Sequence, residues 1–472
     1  HAVEPIIRPE EIFEHPQTIA NDMVAIVDDP DVGPTTQIGV PIHLLGTPGS
    51  VRGPRPAVGA HTDEVTAEWQ PRALADRPRE SGGGLTECRV IDFGQYLAGP
   101  FGPMILGDLG ADVIKVEPVT GDGMRLAGKP FFGCQRGKRS LALNVKDPRG
   151  LDVALQLVRS ADIVHHNMTR GVATKLGIDY AGCRAVRDDI IYCNTYAYGL
   201  PDPFGHFGGL DPLYQASAGL EYESGAMPNG GAPLYYRFGM CDASNALLST
   251  VGVLLALAHR DRTGDGQELW TSLHDGGLVF SSDVWLDANG RGWDRPHLDR
   301  GLHGLSQWYR LYTTQDQQWI VVAATTRDER EALCRVLGVD LSADVAVLEQ
   351  AFATKTARFW HRHLDDAGVP NELPVDTDDG LGVLYDADCE RLGLVAEYEH
   401  PLLGRMRQFG SLIDLGAPAG NRPGPPPLVG QHSREILRGI DLRDGDIDTL
   451  FAAGVVFEPD PDLNEYRTRF TN

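Results

Sequence analysis

The sequence predicts an α/β protein: a Rossmann-like large domain with a parallel sheet, joined to a smaller α+β domain. Three observations carry this. Short apolar strands alternate with helix-length stretches between residues 89 and 194, the pattern of βαβ units. The texture changes after residue 290. And residues 33–62, GPTTQIGVPIHLLGTPGSVRGPRPAVGAHT, recur near the end of the chain as residues 404–433, GRMRQFGSLIDLGAPAGNRPGPPPLVGQHS.

In order along the large domain, residues 89–93 (RVIDF) read as a buried strand. The Leu97-Ala98-Gly99-Pro100 turn leads into a helix around 101–110. Residues 112–117 form the next strand, a helix covers 149–160, and residues 162–166 form a third strand. A helical stretch near 172–188 precedes a fourth strand at 190–194. In the smaller domain, residues 311–323 read as a hairpin, followed by helices near 328–338 and 355–368.

The repeat, read with a one-residue slip allowed, pairs Gln37 with Gln408, Gly53 with Gly424, Gly59 with Gly430 and His61 with His432. The spacing is too wide for a solenoid. It looks like the tail of one domain followed by a whole copy carrying the same tail. The expected division is a leading tail at 1–66, a charged, glycine-ending linker at 67–87, the large domain at 88–290 and the small domain at 291–385. A return segment at 386–460 and a C-terminal extension at 461–472 complete it.

Of the 472 residues, 42% are hydrophobic and 23% charged, ordinary for a soluble globular protein, and the formal net charge is −24. So acidic a chain is a poor partner for nucleic acid or an anionic membrane. No apolar run is expected to span a bilayer. The 7 cysteines form no CxxC pair and read as reduced thiols in a cytoplasmic protein, without a metal site. His165 and His166 are adjacent on a predicted strand, would point to opposite faces and make a poor metal pair. No GxGxxG follows the first strand, so NAD and FAD are not expected, and neither a Walker A motif nor a GxSxG elbow occurs.

Asp242 follows the apolar approach Phe238-Gly239-Met240-Cys241. Leu247, Leu248, Val251, Leu254, Leu255 and Ala258 beyond it fall on one helical face. Two readings stand side by side. Asp242 is an N-cap, or it is a carboxylate kept ionised by the helix N-terminus and able to attack an acyl carbon. Arg136, Lys138 and Arg139 crowd three cations into four residues. They read either as a solvated loop or as a grip on the phosphates of a nucleotide-like ligand. Arg170 follows the third strand, at the sheet edge where ligands bind in open α/β folds. Gly301 to Gly304 reads as a turn or as a flap over a site.

In combination these motifs resemble the class III CoA-transferases, from about residue 88 to 440. The matching stretches are RVIDFGQYLAGPFGPMILGDLGADVIKVEP at 89–118, GKRSLALNVKDPRG at 137–150 and ADIVHHNMTRGVATKLGIDY at 161–180. GGLDPLYQASAGL at 208–220 and MCDASNALLSTVGVLLALAHRDRTGDGQ at 240–267 complete the set.

The resemblance implies a CoA-transferase of interlocked-ring fold, with coenzyme A as substrate. Asp242 falls on the family's nucleophilic aspartate. Gln95, Tyr96, Leu97 and Ala98 fall on its first CoA-binding loop, Lys138 and Arg139 on its basic pair, and Arg170 in a motif that here reads His-Asn-Met-Thr-Arg-Gly. Gly301 and Gly304 fall on the family's glycine flap. Asp211 is a helix-start residue that could touch CoA. Racemases of the family carry Gly-His-Asp where this chain has Gly209-Leu210-Asp211; without that base, two-base racemisation is not expected. Rival readings are a lyase or isomerase on the same scaffold, and a CoA-binding subunit without its own activity. The resemblance implies a homodimer, or a pseudo-dimer with a second repeat. The apolar residues Ile38, Val40, Ile42, Leu44 and Leu45 of the leading tail are expected to need a partner to cover them.

Overall fold

The computed structural model describes residues 3–68, 84–127, 129–374, 382–411, 413, 424–460 and 462–463. Most of the expected linker and of the C-terminal extension therefore lies outside the described residues.

The leading tail forms an antiparallel hairpin of β1 (Val24–Asp29) and β2 (Gly33–Ile38), then a two-residue strand, β3 (His43–Leu44). The large sheet follows with β4 (Arg89–Asp92), β5 (Asp112–Glu117), β6 (Arg139–Leu143), β7 (Ile163–His166), β8 (Ile191–Tyr196) and β9 (Glu268–Ser272). A second sheet holds β10 (Gly304–Ser306), β11 (Tyr309–Thr313), β12 (Trp319–Ala323) and β13 (Asn371–Glu372). The trailing tail repeats the hairpin as β14 (Val395–His400) and β15 (Gly404–Phe409), and β16 (Val456–Phe457) ends the series.

The eight-stranded sheet runs β16-β6-β5-β4-β7-β8-β9-β3. Its six inner strands are parallel, and both rims are antiparallel. Inner strands are covered on both faces, which explains their near-continuous apolar runs. On one face Ile91, Val164 and Leu141 pack against Val153, Leu157 and Val158 of the helix Pro148–Arg159. Asp147 caps that helix through the amide of Arg149 at 2.9 Å. On the other face Val90, Ile163 and Cys193 pack against Val253, Ala256 and Leu257 of the helix Met240–Thr263, joined by Leu44 of the leading tail. The second sheet has its own core, built on Tyr312, Val322, Phe352 and Trp360. Its helices Arg327–Leu337 and Ala357–Asp366 lie close to the expected positions.

The helix Met240–Thr263 corrects two expectations. At 24 residues it is long and apolar enough, by length and composition alone, to cross a membrane. It is nevertheless built into the protein, with Cys241, Ala246, Val253 and Ala256 fully buried. Its orientation is also inverted. Ser244, Asn245, Ser249 and Thr250 face inward, while Leu247, Val251 and Leu255 remain 46%, 47% and 49% exposed.

The leading tail is not left loose. Ile12, Phe13 and Met23 pack with Tyr198, Tyr214, Cys241 and Leu273 of the large domain. Gln17 and Asn21, both buried, tie it down through the carbonyls of Pro201 and Tyr198 and the Asp275 carboxylate, at 2.7–3.1 Å. The two tails also match without any slip. The hairpin pairs Val24 with Ile38 in one copy and Val395 with Phe409 in the other. The amide of Gly39 bonds the carbonyl of Met23 as that of Gly410 bonds Leu394. In both copies a Cβ on that glycine would strike a backbone oxygen, at 2.5 and 2.3 Å.

Candidate active site

The glycine before the first turn of a helix decides how open that turn is. Here Gly239 is the N-cap of the helix Met240–Thr263, so Asp242 is the third residue of the first turn and not the cap itself. A Cβ on Gly239 would come within 2.9 Å of Asp242 Oδ2 and 3.1 Å of Leu97 Cδ2. Glycine therefore leaves the carboxylate reachable from a cavity of about 510 Å³. Tyr96, Leu97 and Ala98 form one wall of it, Asn167, Thr169 and Tyr196 another, and Leu210, Leu213 and Leu273 supply apolar surface.

Asp211 opens the helix Asp211–Ser217 beside it. Its carboxylate accepts the amide hydrogen of Asp242 at 2.8 Å and a hydrogen bond from the Gln215 side-chain amide. Burial pushes the Asp242 pKa up to about 7, and the neighbouring Asp211 charge adds to the rise. Burial raises Asp211 as well, although the hydrogen bonds it accepts pull the other way. So the helix terminus does not hold Asp242 in the ordinary carboxylate range as expected. The first-turn amide of Asp242 serves Asp211, and desolvation dominates. An amide committed in this way is also not free to stabilise an oxyanion at the same spot.

The turn 94–98 is held from below by a buried charge network. Lys115 Nζ donates to the Gly94 carbonyl and to Asp122 Oδ2, both at 2.8 Å. Asp122 Oδ1 accepts the Tyr96 amide at 3.1 Å and the Met124 amide at 2.9 Å. Lys138 Nζ donates to Asp92 Oδ2 at 2.7 Å and to the Pro100 carbonyl at 2.6 Å. Burial alone would lower Lys115, but the carboxylates of Asp122, Asp92 and Glu117 more than offset it and raise its pKa. For Lys138 burial prevails and the pKa falls.

Within this structure the cations of the expected phosphate grip are already engaged with protein groups. Lys138 is buried and committed to Asp92. Arg139 forks onto Asp112 and also reaches Glu435. Arg136 is paired with Asp108 and donates to the carbonyls of Phe409 and Gly410. These cations hold strands and tail together. Arg170 is likewise engaged, donating to the Leu200 carbonyl and to Asp202, both at 2.9 Å. The expected flap is not at the cavity either. Gly304 is a strand residue whose Cβ would fall 2.1 Å from that of Arg310. Gly301 sits in a turn closed by the Leu302 amide on the Asp299 carbonyl at 2.9 Å. Neither residue lines the cavity.

Gln95 faces away from Asp242, into a second cavity of about 340 Å³ walled by Phe93, Val116, Lys146, Met168 and Leu176. The turn 95–98 is thus a partition between two cavities at the C-terminal edge of the sheet, where open α/β folds bind ligands. Asn167 locks it, accepting the Gln95 amide at 2.9 Å and donating to the Gln95 carbonyl at 2.8 Å. Sequence reasoning missed Asn167, Thr169, Tyr196 and Lys146. Asn167 had a signal, since it stands just after a strand in the quoted HHNMTRG stretch. The two histidines there are structural: His165 Nε2 lies 3.2 Å from Ser249 Oγ and His166 Nε2 2.7 Å from the Tyr192 hydroxyl.

The chain matches the profile of CoA-transferase family III over residues 1–62 and 85–433. It is 29% identical to the succinyl-CoA:glutarate CoA-transferase of Mus musculus over 404 residues, 79% of this chain and 90% of that protein. It is 32% identical to the succinyl-CoA:mesaconate CoA-transferase of Haloarcula hispanica over 387 residues, 75% and 96% of the two chains. The crystal structure of Rv3272 from M. tuberculosis superposes with a TM-score of 0.63 at 25% identity, covering 75% of this chain and 99% of that one. That of a CAIB/BAIF family protein from Brucella suis gives 0.64 at 23% identity, covering 76% and 100%, a likeness of fold. The α/β fold with its large, mostly parallel sheet is shared with these two solved structures, and the chain belongs to CoA-transferase family III, enzymes that move coenzyme A between acyl-CoA thioesters and carboxylic acids.

Proposed function

We propose that the transfer runs through Asp242 as a covalent carrier. The observation that carries this reading is a buried carboxylate facing a cavity that, among the described residues, no cation lines. A structural aspartate in that position would be paired. In the first step the ionised carboxylate attacks the thioester carbonyl; the C–S bond breaks, giving an aspartyl-acyl anhydride and the CoA thiolate. The thiolate then attacks the aspartyl carbonyl, releasing the donor acid and leaving an aspartyl-CoA thioester. The acceptor carboxylate repeats the sequence in reverse and leaves as its own CoA thioester. Burial that raises the pKa of Asp242 also strips water from it, which favours a nucleophile once ionised and shields the anhydride from hydrolysis.

The two cavities suit the two ends of an acyl-CoA. The cavity beyond Gln95, with Lys146 at its rim, takes the nucleotide end. The pantetheine arm crosses the turn 95–98, and the thioester reaches Asp242 past Tyr96 and Leu97. Leu210 at the cavity mouth carries no titratable group, which speaks against proton shuttling at the α-carbon. The names of the relatives suggest short dicarboxylic acids as donors and acceptors.

The test is direct. The protein is mixed with a panel of CoA thioesters headed by succinyl-CoA and acetyl-CoA, quenched in acid and weighed intact. A mass gain that maps to the peptide holding Asp242 and is released by hydroxylamine is expected. An enzyme that transfers CoA at full rate with no adduct on that peptide, under any thioester it uses, rules the mechanism out.

A further inference from the structure

Any acid that exchanges coenzyme A here must fit the cavity that Asp242 faces, and the chemistry of its walls narrows which acids fit. Past the turn 95–98 the cavity is lined by Ala197, Phe207, Leu213 and Leu273, with Leu210 exposed at its mouth. Gly209 adds bare backbone, since a Cβ there would fall 1.9 Å from the Tyr214 hydroxyl. The polar groups of the opposite wall are neutral: Asn167, Thr169, Thr195 and Tyr196. Two of them are already engaged, Asn167 with the Gln95 backbone and Thr195 with the His166 carbonyl at 3.3 Å.

Among the described residues no Arg, Lys or His lines this cavity. Three cations stand close to its lining in sequence, and each is placed elsewhere. Arg125, next to Met124, forks onto Glu117. Arg170, next to Thr169, holds Asp202. Arg237 lies on an exposed stretch, over the Phe238 ring at 4.9 Å. The fixed charges around Asp242 are acidic instead. Asp211 accepts its amide hydrogen at 2.8 Å. Glu221, buried on the next helix, has its pKa raised by burial and by the Asp211 charge.

A second carboxylate on the acyl chain would therefore enter a partly dry cavity without a counter-charge, among acids of its own sign. The penalty is largest at the first step. Asp242 is ionised when it attacks the donor thioester, and a succinyl donor holds its free carboxylate only two methylene groups from the carbonyl under attack. At the last step Asp242 is bound to CoA and carries no charge, so the acceptor meets less repulsion. We infer that this enzyme selects acids with no charge beyond the carboxyl group that exchanges CoA: monocarboxylic acids with an apolar chain, read by Leu210 and Leu213. This rests on Asp242 as the carrier and departs from the dicarboxylic acids in the names of the relatives.

The test uses thioesters paired by chain length: butyryl-CoA against succinyl-CoA, and pentanoyl-CoA against glutaryl-CoA. As donors, the uncharged members are expected to lead in kcat/KM by about a hundredfold, with a smaller lead for butyrate over succinate as acceptor. Leu210→Arg places a cation at the exposed mouth. It should narrow the donor gap by about fivefold, the effect of a part-exposed ion pair, through faster use of succinyl-CoA and with the melting temperature unchanged. Equal or better use of the dicarboxylic donors by the parent overturns the inference, as does a gap that Leu210→Arg leaves as wide. Intact mass on the same samples keeps the two readings apart. An adduct on Asp242 with dicarboxylic donors in the lead sinks only the selectivity. Uncharged donors in the lead without that adduct sink the carrier and leave the selectivity standing.

Discussion

Two groups of buried charge flank the turn 94–98. Below it, Lys115, Asp122, Asp92 and Lys138 alternate in sign, and each charge has a partner within 2.8 Å. Beside it, Asp242 and Asp211 are both acidic, with no cation between them among the described residues, and burial raises the pKa of both. The first group is balanced and fixes the backbone. The second is unbalanced and is held in place by the fold around it. Charge density alone does not separate a site from a scaffold; what separates them is whether the charges cancel. Unbalanced buried charge costs stability and persists where it serves chemistry.

The comparison can be broken at four points. The largest effect is expected from Asp242→Ala: transfer falls by at least a thousandfold, about 4 kcal/mol of barrier, while CoA binding by calorimetry stays near that of the parent. Transfer within tenfold of the parent would move the site elsewhere. Next is Lys138→Met, which strands the Asp92 carboxylate in the core. Breaking such a pair costs roughly 3–5 kcal/mol, read as a large fall in melting temperature. Asp92→Asn in the same chain should restore most of it, and KM for acyl-CoA should hold within about threefold. A raised KM with an unchanged melting temperature would reinstate Lys138 as a ligand contact.

Third is pH. Only ionised Asp242 attacks, so kcat/KM should rise with pH to a plateau, with its midpoint near the raised value of about 7. Asp211→Asn removes the like charge and keeps an acceptor for the Asp242 amide. It should move that midpoint down, though burial, the larger cause, keeps it above the ordinary carboxylate range. An unmoved midpoint would leave the Asp211 charge without influence. The smallest effect is expected from Arg139→Ala. Its ion pairs with Asp112 and Glu435 are part-exposed, so the loss should stay within about 1 kcal/mol and acyl-CoA kinetics should not change.

The same contrast explains what was legible beforehand. The positions of β4, β5, β7 and β8 followed from apolar periodicity, because inner strands of a parallel sheet are buried on both faces. Asp242 stood out through its approach and through the family resemblance. The pairing of the basic cluster was illegible, because Asp92, Asp108 and Asp112, which neutralise it, lie elsewhere in sequence and meet it only in the fold. Gly304 serves a close strand approach and Gly301 a turn, roles that glycine spacing alone does not tell from a flap. The inward face of the Asp242 helix was illegible for the opposite reason. Its leucines mark a helix, but they do not say which side of it the rest of this chain covers.

Both rims of the large sheet are finished by short antiparallel strands, one drawn from each end of the described chain. During synthesis the β9 rim meets a β3 that already exists. The β6 rim must wait for residues 424–437 and then for Val456 and Phe457, more than three hundred residues after β6 itself has left the ribosome. Throughout that interval it is a bare, apolar strand edge, the kind of template on which nascent chains pair wrongly. Residues 424–437 and β16, made long after β6, thus also protect the protein against aggregation. A premature stop ahead of residue 424 should yield insoluble chains, not a smaller enzyme.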